Sequence, residues 1–75
     1  MIAVPKDRPF RGNYRVFDIF DNSVSLACIV TVYDDGTRFF EFDSDRMYKP
    51  DELAEILRIG ATLNASEPVT TQQEK

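Results

Sequence analysis

Side chains suited to catalysis are few in this chain, and none has the neighbours that catalysis needs. The 75 residues contain no histidine, which removes the usual general base, thiol activator and imidazole metal ligand. Cys28 stands alone, so it cannot close a disulfide within the chain, and its place in an apolar run predicts a small buried hydrophobe. Ser23, Ser25 and Ser44 have no base at any spacing that would activate a hydroxyl. Carboxylates do come in pairs, at Asp34-Asp35, Asp43 with Asp45, and Asp51-Glu52. Acid-base use of such a pair requires one member to be desolvated in a cleft, and these sit where a turn, a strand end and a helix start are expected.

Asp43-Ser44-Asp45 before a helix has the opening of a calcium loop, but the rest of the pattern is missing. Counting from Asp43, the sixth position is Tyr48 where the loop needs glycine, and the twelfth is Ala54 where it needs glutamate. Glu41, Asp43 and Asp45 along one strand are expected to be solvated, with no metal bound. Glycines fall singly at 12, 36 and 60, so no phosphate-cradling loop is written in the sequence. The expectation is a protein that is not an enzyme and holds no cofactor.

Charge is unevenly distributed around a net −4. Residues 1–15 hold Lys6, Arg8, Arg11 and Arg15 against Asp7, a net +3, whereas residues 34–55 carry a net −5. A basic end interleaved with Phe10 and Tyr14 has the local chemistry of a single-strand nucleic-acid binder. The overall negative charge and the acids Asp18 and Glu41 oppose it, because phosphate attraction dominates such affinities. The converse is an acidic surface that imitates phosphates toward a nucleic-acid-binding protein, with Asp34, Asp35, Asp43, Asp45, Asp51, Glu52 and Glu55 as its candidates.

The elements that would position these groups follow from pattern and punctuation. Pro5, Pro9 and Gly12 predict an extended arm over residues 1–12. Three β-prone runs follow, at 13–20, 23–33 and 37–43, separated by Asp21-Asn22 and by Asp34-Asp35-Gly36. A three-residue second loop with Gly36 left-handed pairs Val30 with Phe40 and Cys28 with Phe42, whereas a two-residue loop would bury Glu41 beside the core. A two-residue first loop puts Ile19 opposite Val24 and Phe17 opposite Leu26. The expected core face is thus Phe17, Ile19, Val24, Leu26, Cys28, Val30, Phe40 and Phe42.

Pro50 with Asp51 and Glu52 marks a helix start, and Leu53, Ile56, Leu57, Gly60 and Leu63 form its apolar stripe. Glu52, Glu55 and Arg58 should point away from the sheet, and the helix should end at Gly60 or Asn64. Residues 66–75 are polar, contain Pro68 and predict a disordered tail. The fold class is therefore α+β, a single small domain over 13–65 with a three-stranded antiparallel meander and one C-terminal helix on one face. No apolar run approaches the roughly eighteen residues of a membrane span, and residues 1–5 lack the apolar stretch of a secretory signal. Those features predict a cytoplasmic protein, in a host cytoplasm if it is phage-encoded.

The remaining sheet face determines the functional expectation. It presents Tyr14, Val16, Phe20, Ala27, Ile29, Thr31, Tyr33, Phe39 and Glu41, a surface too apolar to face water unaccompanied. Three covers are available: the arm laying Ile2, Val4 and Phe10 over it, a second copy of the chain, or another protein. The expected contact set is Tyr14, Arg15, Phe20, Ile29, Tyr33, Arg38, Phe39 and Glu41, rich in the residue types of interface hot spots. In size, acidity and lack of catalytic groups the chain resembles the small inhibitors that phages and mobile elements make against host machinery, anti-CRISPR proteins among them. The resemblance implies a non-enzymatic protein binder that occludes a functional surface of a larger protein. A homodimeric accessory or scaffold protein is the alternative, ahead of a single-stranded nucleic-acid binder.

Overall fold

The computed structural model describes residues 1–6 and 12–65. Its elements are β1 (Ile2–Pro5), β2 (Tyr14–Phe20), β3 (Leu26–Tyr33), β4 (Arg38–Phe42) and α1 (Pro50–Thr62). The four strands form one antiparallel sheet in the order β1-β2-β3-β4, with the C-terminal helix on one face. The shortest dimension is 17 Å, which accommodates one sheet and one helix layer at about 10 Å spacing.

The described start of the expected arm is thus a strand, and the sheet has four strands where the sequence predicted three. Ile2-Ala3-Val4-Pro5 pairs with Phe20-Ile19-Asp18-Phe17, and Lys6 N–H extends the ladder to Val16 O at 2.8 Å. Pro5 is tolerated because β1 is an edge, where a missing donor costs no ladder bond on its open side. Phe10, like the expected tail at 66–75, lies outside the described residues.

The second hairpin has the expected register, Cys28 with Phe42 and Val30 with Phe40. Gly36 takes φ 94, and Asp35 Oδ1 accepts the Thr37 N–H at 2.8 Å. In the first hairpin the pairing is different: Ile19 opposes Cys28 and Phe17 opposes Val30, four residues beyond the predicted partners. The cause is the Asp21 carboxylate, which accepts the Ser23 and Ser25 N–H groups, each at 2.9 Å, and closes a longer turn through Ser25. Val24 consequently sits at φ 66 and is 79% exposed, so it is a turn residue and not a core one.

A bulge at Ile19/Phe20 then sets Phe20 against Leu26 and sends Ala27 into the core. Leu26 and Ala27 therefore exchange the faces that simple alternation assigns them. The core comprises Phe17, Ile19, Ala27, Cys28, Val30, Val32, Ile56 and Ala65. Phe40 packs against it, whereas Phe42 lies at its margin against Phe40 and Tyr48.

Helix α1 lies on this core through Ile56 and Gly60, with Ile59 and Leu63 beside them; Leu57, assigned to the stripe by spacing, is half exposed. A Cβ built on Gly60 would overlap the Phe40 ring, so glycine here is what lets helix and sheet approach. At the helix start, Glu52 Oε1 accepts the Lys49 N–H at 3.1 Å. At its end no basic residue occupies the last turn; Arg38, reaching from β4, donates to the carbonyls of Gly60 and Leu63.

Candidate functional site

Two surfaces carry the residues singled out by the sequence. The first is the sheet face opposite α1, built by the outward-pointing alternate positions of all four strands. Along the strands it reads as four rows. Tyr14 and Tyr33 form one end, followed by Val16, Thr31 and Phe39, then Val4, Asp18, Ile29 and Glu41, and finally Ile2, Phe20 and Leu26. Among the described residues no element lies across it. Ile2, Phe39, Leu26 and Val4 are 62%, 60%, 43% and 41% exposed.

The aromatic end is ordered by ring contacts. Tyr14 and Tyr33 centroids are 5.4 Å apart, and Phe39 meets Tyr33 edge-on at 5.9 Å. In the third row, Asp18 is flanked by Val4 and Ile29, and its Oδ1 is buried without a hydrogen bond. Lys6 Nζ stands 3.5 Å from that oxygen, an ion pair short of hydrogen-bond alignment.

Of the expected contact set, Tyr14, Phe20, Ile29, Tyr33, Phe39 and Glu41 share this face. Arg15 and Arg38 do not. Both pair with Val32 on the helix-bearing side, where Arg38 caps α1 and Arg15 has two buried guanidinium nitrogens without hydrogen bonds. Ile2 and Val4, expected as an arm laid over this face, instead belong to it as strand residues, and Leu26, expected on the core face, joins them. Ile2 and Val4 alternate as strand residues do, but over too short a run to place a strand by itself, and the bulge that turns Leu26 outward leaves no mark in the sequence.

The second surface is acidic and lies at the end of the sheet where α1 begins. Asp51, Glu52 and Glu55 meet the β2–β3 turn across a cleft of about 530 Å³, lined also by Met1, Asp21, Asn22 and Ser23. Arg46 ties this region together, donating to Asp21 Oδ2 at 2.8 Å, Glu52 Oε2 at 2.9 Å and Leu26 O at 3.3 Å. Its guanidinium also lies over the Tyr48 ring, whose hydroxyl donates to Ala27 O and accepts the Asp43 N–H. Glu52, expected to face away from the sheet, is thereby engaged.

Asp21 is held well below the usual carboxylate range, chiefly by the Ser25 N–H, then by Arg46 and Ser23. The Lys49 N–H and Arg46 lower Glu52, and the Thr37 backbone N–H lowers Asp35. Burial pushes the Cys28 thiol up, away from thiolate chemistry. The candidate mimic acids are split between the two ends of the sheet: Asp34 and Asp35 occupy the β3–β4 turn, and Asp43, Asp45, Asp51, Glu52 and Glu55 lie toward the other.

Among the described residues, no three metal-ligating side chains converge. No helix among them is long and apolar enough to cross a membrane. Comparison of the chain with known protein families, curated proteins and solved structures finds no match.

Proposed function

We propose that this protein is a non-enzymatic binding module that uses the open sheet face to occlude a surface of a larger protein. The observation that carries this reading is the exposure of large apolar side chains on three of the four strands of one face, Ile2 and Val4 on β1, Leu26 on β3 and Phe39 on β4, with Phe20 of β2 partly exposed among them. Four strands about 4.8 Å apart and about six residues long make a face of roughly 19 by 20 Å. Monomers seldom leave an apolar patch of a few hundred Å² in water, and burying each large side chain contributes about 1.5–3 kcal/mol. The Tyr14, Tyr33 and Phe39 cluster supplies rigid aromatic anchors of the kind that dominate interface energetics.

The test compares tagged wild-type chain with Phe39→Asp, in affinity purification from the native cytoplasm and in solution mass. Phe39 is exposed and outside the core, so the variant should keep its circular dichroism and melting midpoint. A stoichiometric partner held by wild type and lost by Phe39→Asp is the expected result. Equal retention by both proteins, or a monomer that retains nothing, overturns the proposal. A two-chain mass abolished by Phe39→Asp replaces it with a homodimeric scaffold.

A further inference from the structure

The open face is not uniformly apolar, and its charge pattern says what its occupant must carry. Asp18 and Glu41 stand in one row, separated by Ile29. Uncharged rows lie on each side: Val16, Thr31 and Phe39 toward the aromatic end, and the apolar Phe20, Ile2 and Leu26 beyond. Asp18 Oδ1 is buried and accepts no hydrogen bond, and Lys6, half exposed, is the only described cation paired with it. A buried carboxylate oxygen without a donor is costly, and covering the face with apolar groups alone would deepen that cost.

We infer that the occupant is a basic amphipathic helix of a partner protein, with a lysine or arginine on the Asp18 and Glu41 row and apolar anchors on either side. This deepens the protein-binding proposal above and rests on it. A helix satisfies its own backbone, so it can lie on an apolar face that offers no backbone partners, whereas an extended segment laid there could not. The opposite face of the same sheet is already covered by one helix of 13 residues. Rows two residues apart are about 7 Å apart. In a helix aligned with the strands, positions i, i+4 and i+8 share one stripe and rise about 6 Å per step, within about 1 Å of the row spacing, so a cation at i+4 can meet the acidic row between apolar anchors at i and i+8. A second copy of the chain fits less well, because it would bring two more carboxylates against this row from a protein of net charge −4.

Two fluorescent helical peptides test this with the intact chain. They share a leucine stripe, and the centre of that stripe carries Lys in one and Glu in the other. Fluorescence anisotropy should give the Lys peptide an affinity on the order of tenfold tighter, a preference that weakens as salt is raised. Asp18→Asn combined with Glu41→Gln should erase the preference, and Phe39→Asp should weaken both peptides. A Lys peptide that binds no tighter than the Glu peptide overturns the cationic occupant. If binding is still lost in Phe39→Asp, the open-face proposal survives that failure; if Phe39→Asp changes nothing, both fall. A concentration-dependent dimer that excludes the peptides identifies a second copy as the occupant and overturns the inference.

Discussion

Gly60 and Asp21 show how much single residues determine here. Replacing Gly60 by alanine gains about 1 kcal/mol of helix propensity, but the new methyl meets the Phe40 ring, and overpacking of this kind costs about 1–3 kcal/mol. Gly60→Ala should therefore lower the urea midpoint, with Phe40→Leu in the same chain recovering part of the loss. Asp21 and Glu52 have folded pKa values below their ordinary 3.8 and 4.5. Their contribution is fully present above those values and is lost as pH falls through the lower folded ones. Thermal midpoints should be flat near neutrality and decline below about pH 4.5. Asp21→Asn should be less stable at neutral pH, decline less steeply with acid and converge on wild type at the lowest pH. The carboxylates were visible in the sequence as a turn and a helix start; that Arg46 joins them was not, because it is 25 residues from Asp21 and six from Glu52.

At the scale of elements, β1 and the bulge are the informative cases. Deleting residues 1–5 strips the outer ladder from β2 and exposes its edge, so the denaturation midpoint should drop by on the order of 2 kcal/mol of stability from lost hydrogen bonds. Hydrogen exchange should show β2 amides losing protection before those of β3. Unchanged protection in the truncated chain would mean that β1 contributes nothing to the sheet. Four residues ending in proline carry too little local signal to be read as a strand, since a strand is made by the neighbour it pairs with. The second hairpin was legible because burying Glu41 would have been so costly that only one register was left. The first was misread because Asp21, Ser23 and Ser25 close their turn with side-chain hydrogen bonds, which strand alternation does not reveal.

At the scale of the whole molecule, the two faces of one sheet are unequally covered. α1 covers one; the other carries an apolar surface that the described chain leaves open. Wild-type protein should therefore bind a hydrophobic dye in its native state, and Phe39→Asp with Leu26→Asp should lose that fluorescence without losing the melting transition. Retained dye binding in that double variant would place the exposed apolar surface elsewhere. The sequence by itself determined the α+β class, the C-terminal helix, the second hairpin and the presence of more apolar strand surface than one helix can cover. Those properties follow from composition, periodicity and local turn chemistry, which act over a few residues. Only the tertiary structure decided that residues 2–5 extend the sheet, that Leu26 faces outward and Ala27 inward, and that Arg38 caps the helix. Each of these depends on which distant segments meet, and that is set by the joint packing of the whole chain, which no local pattern encodes.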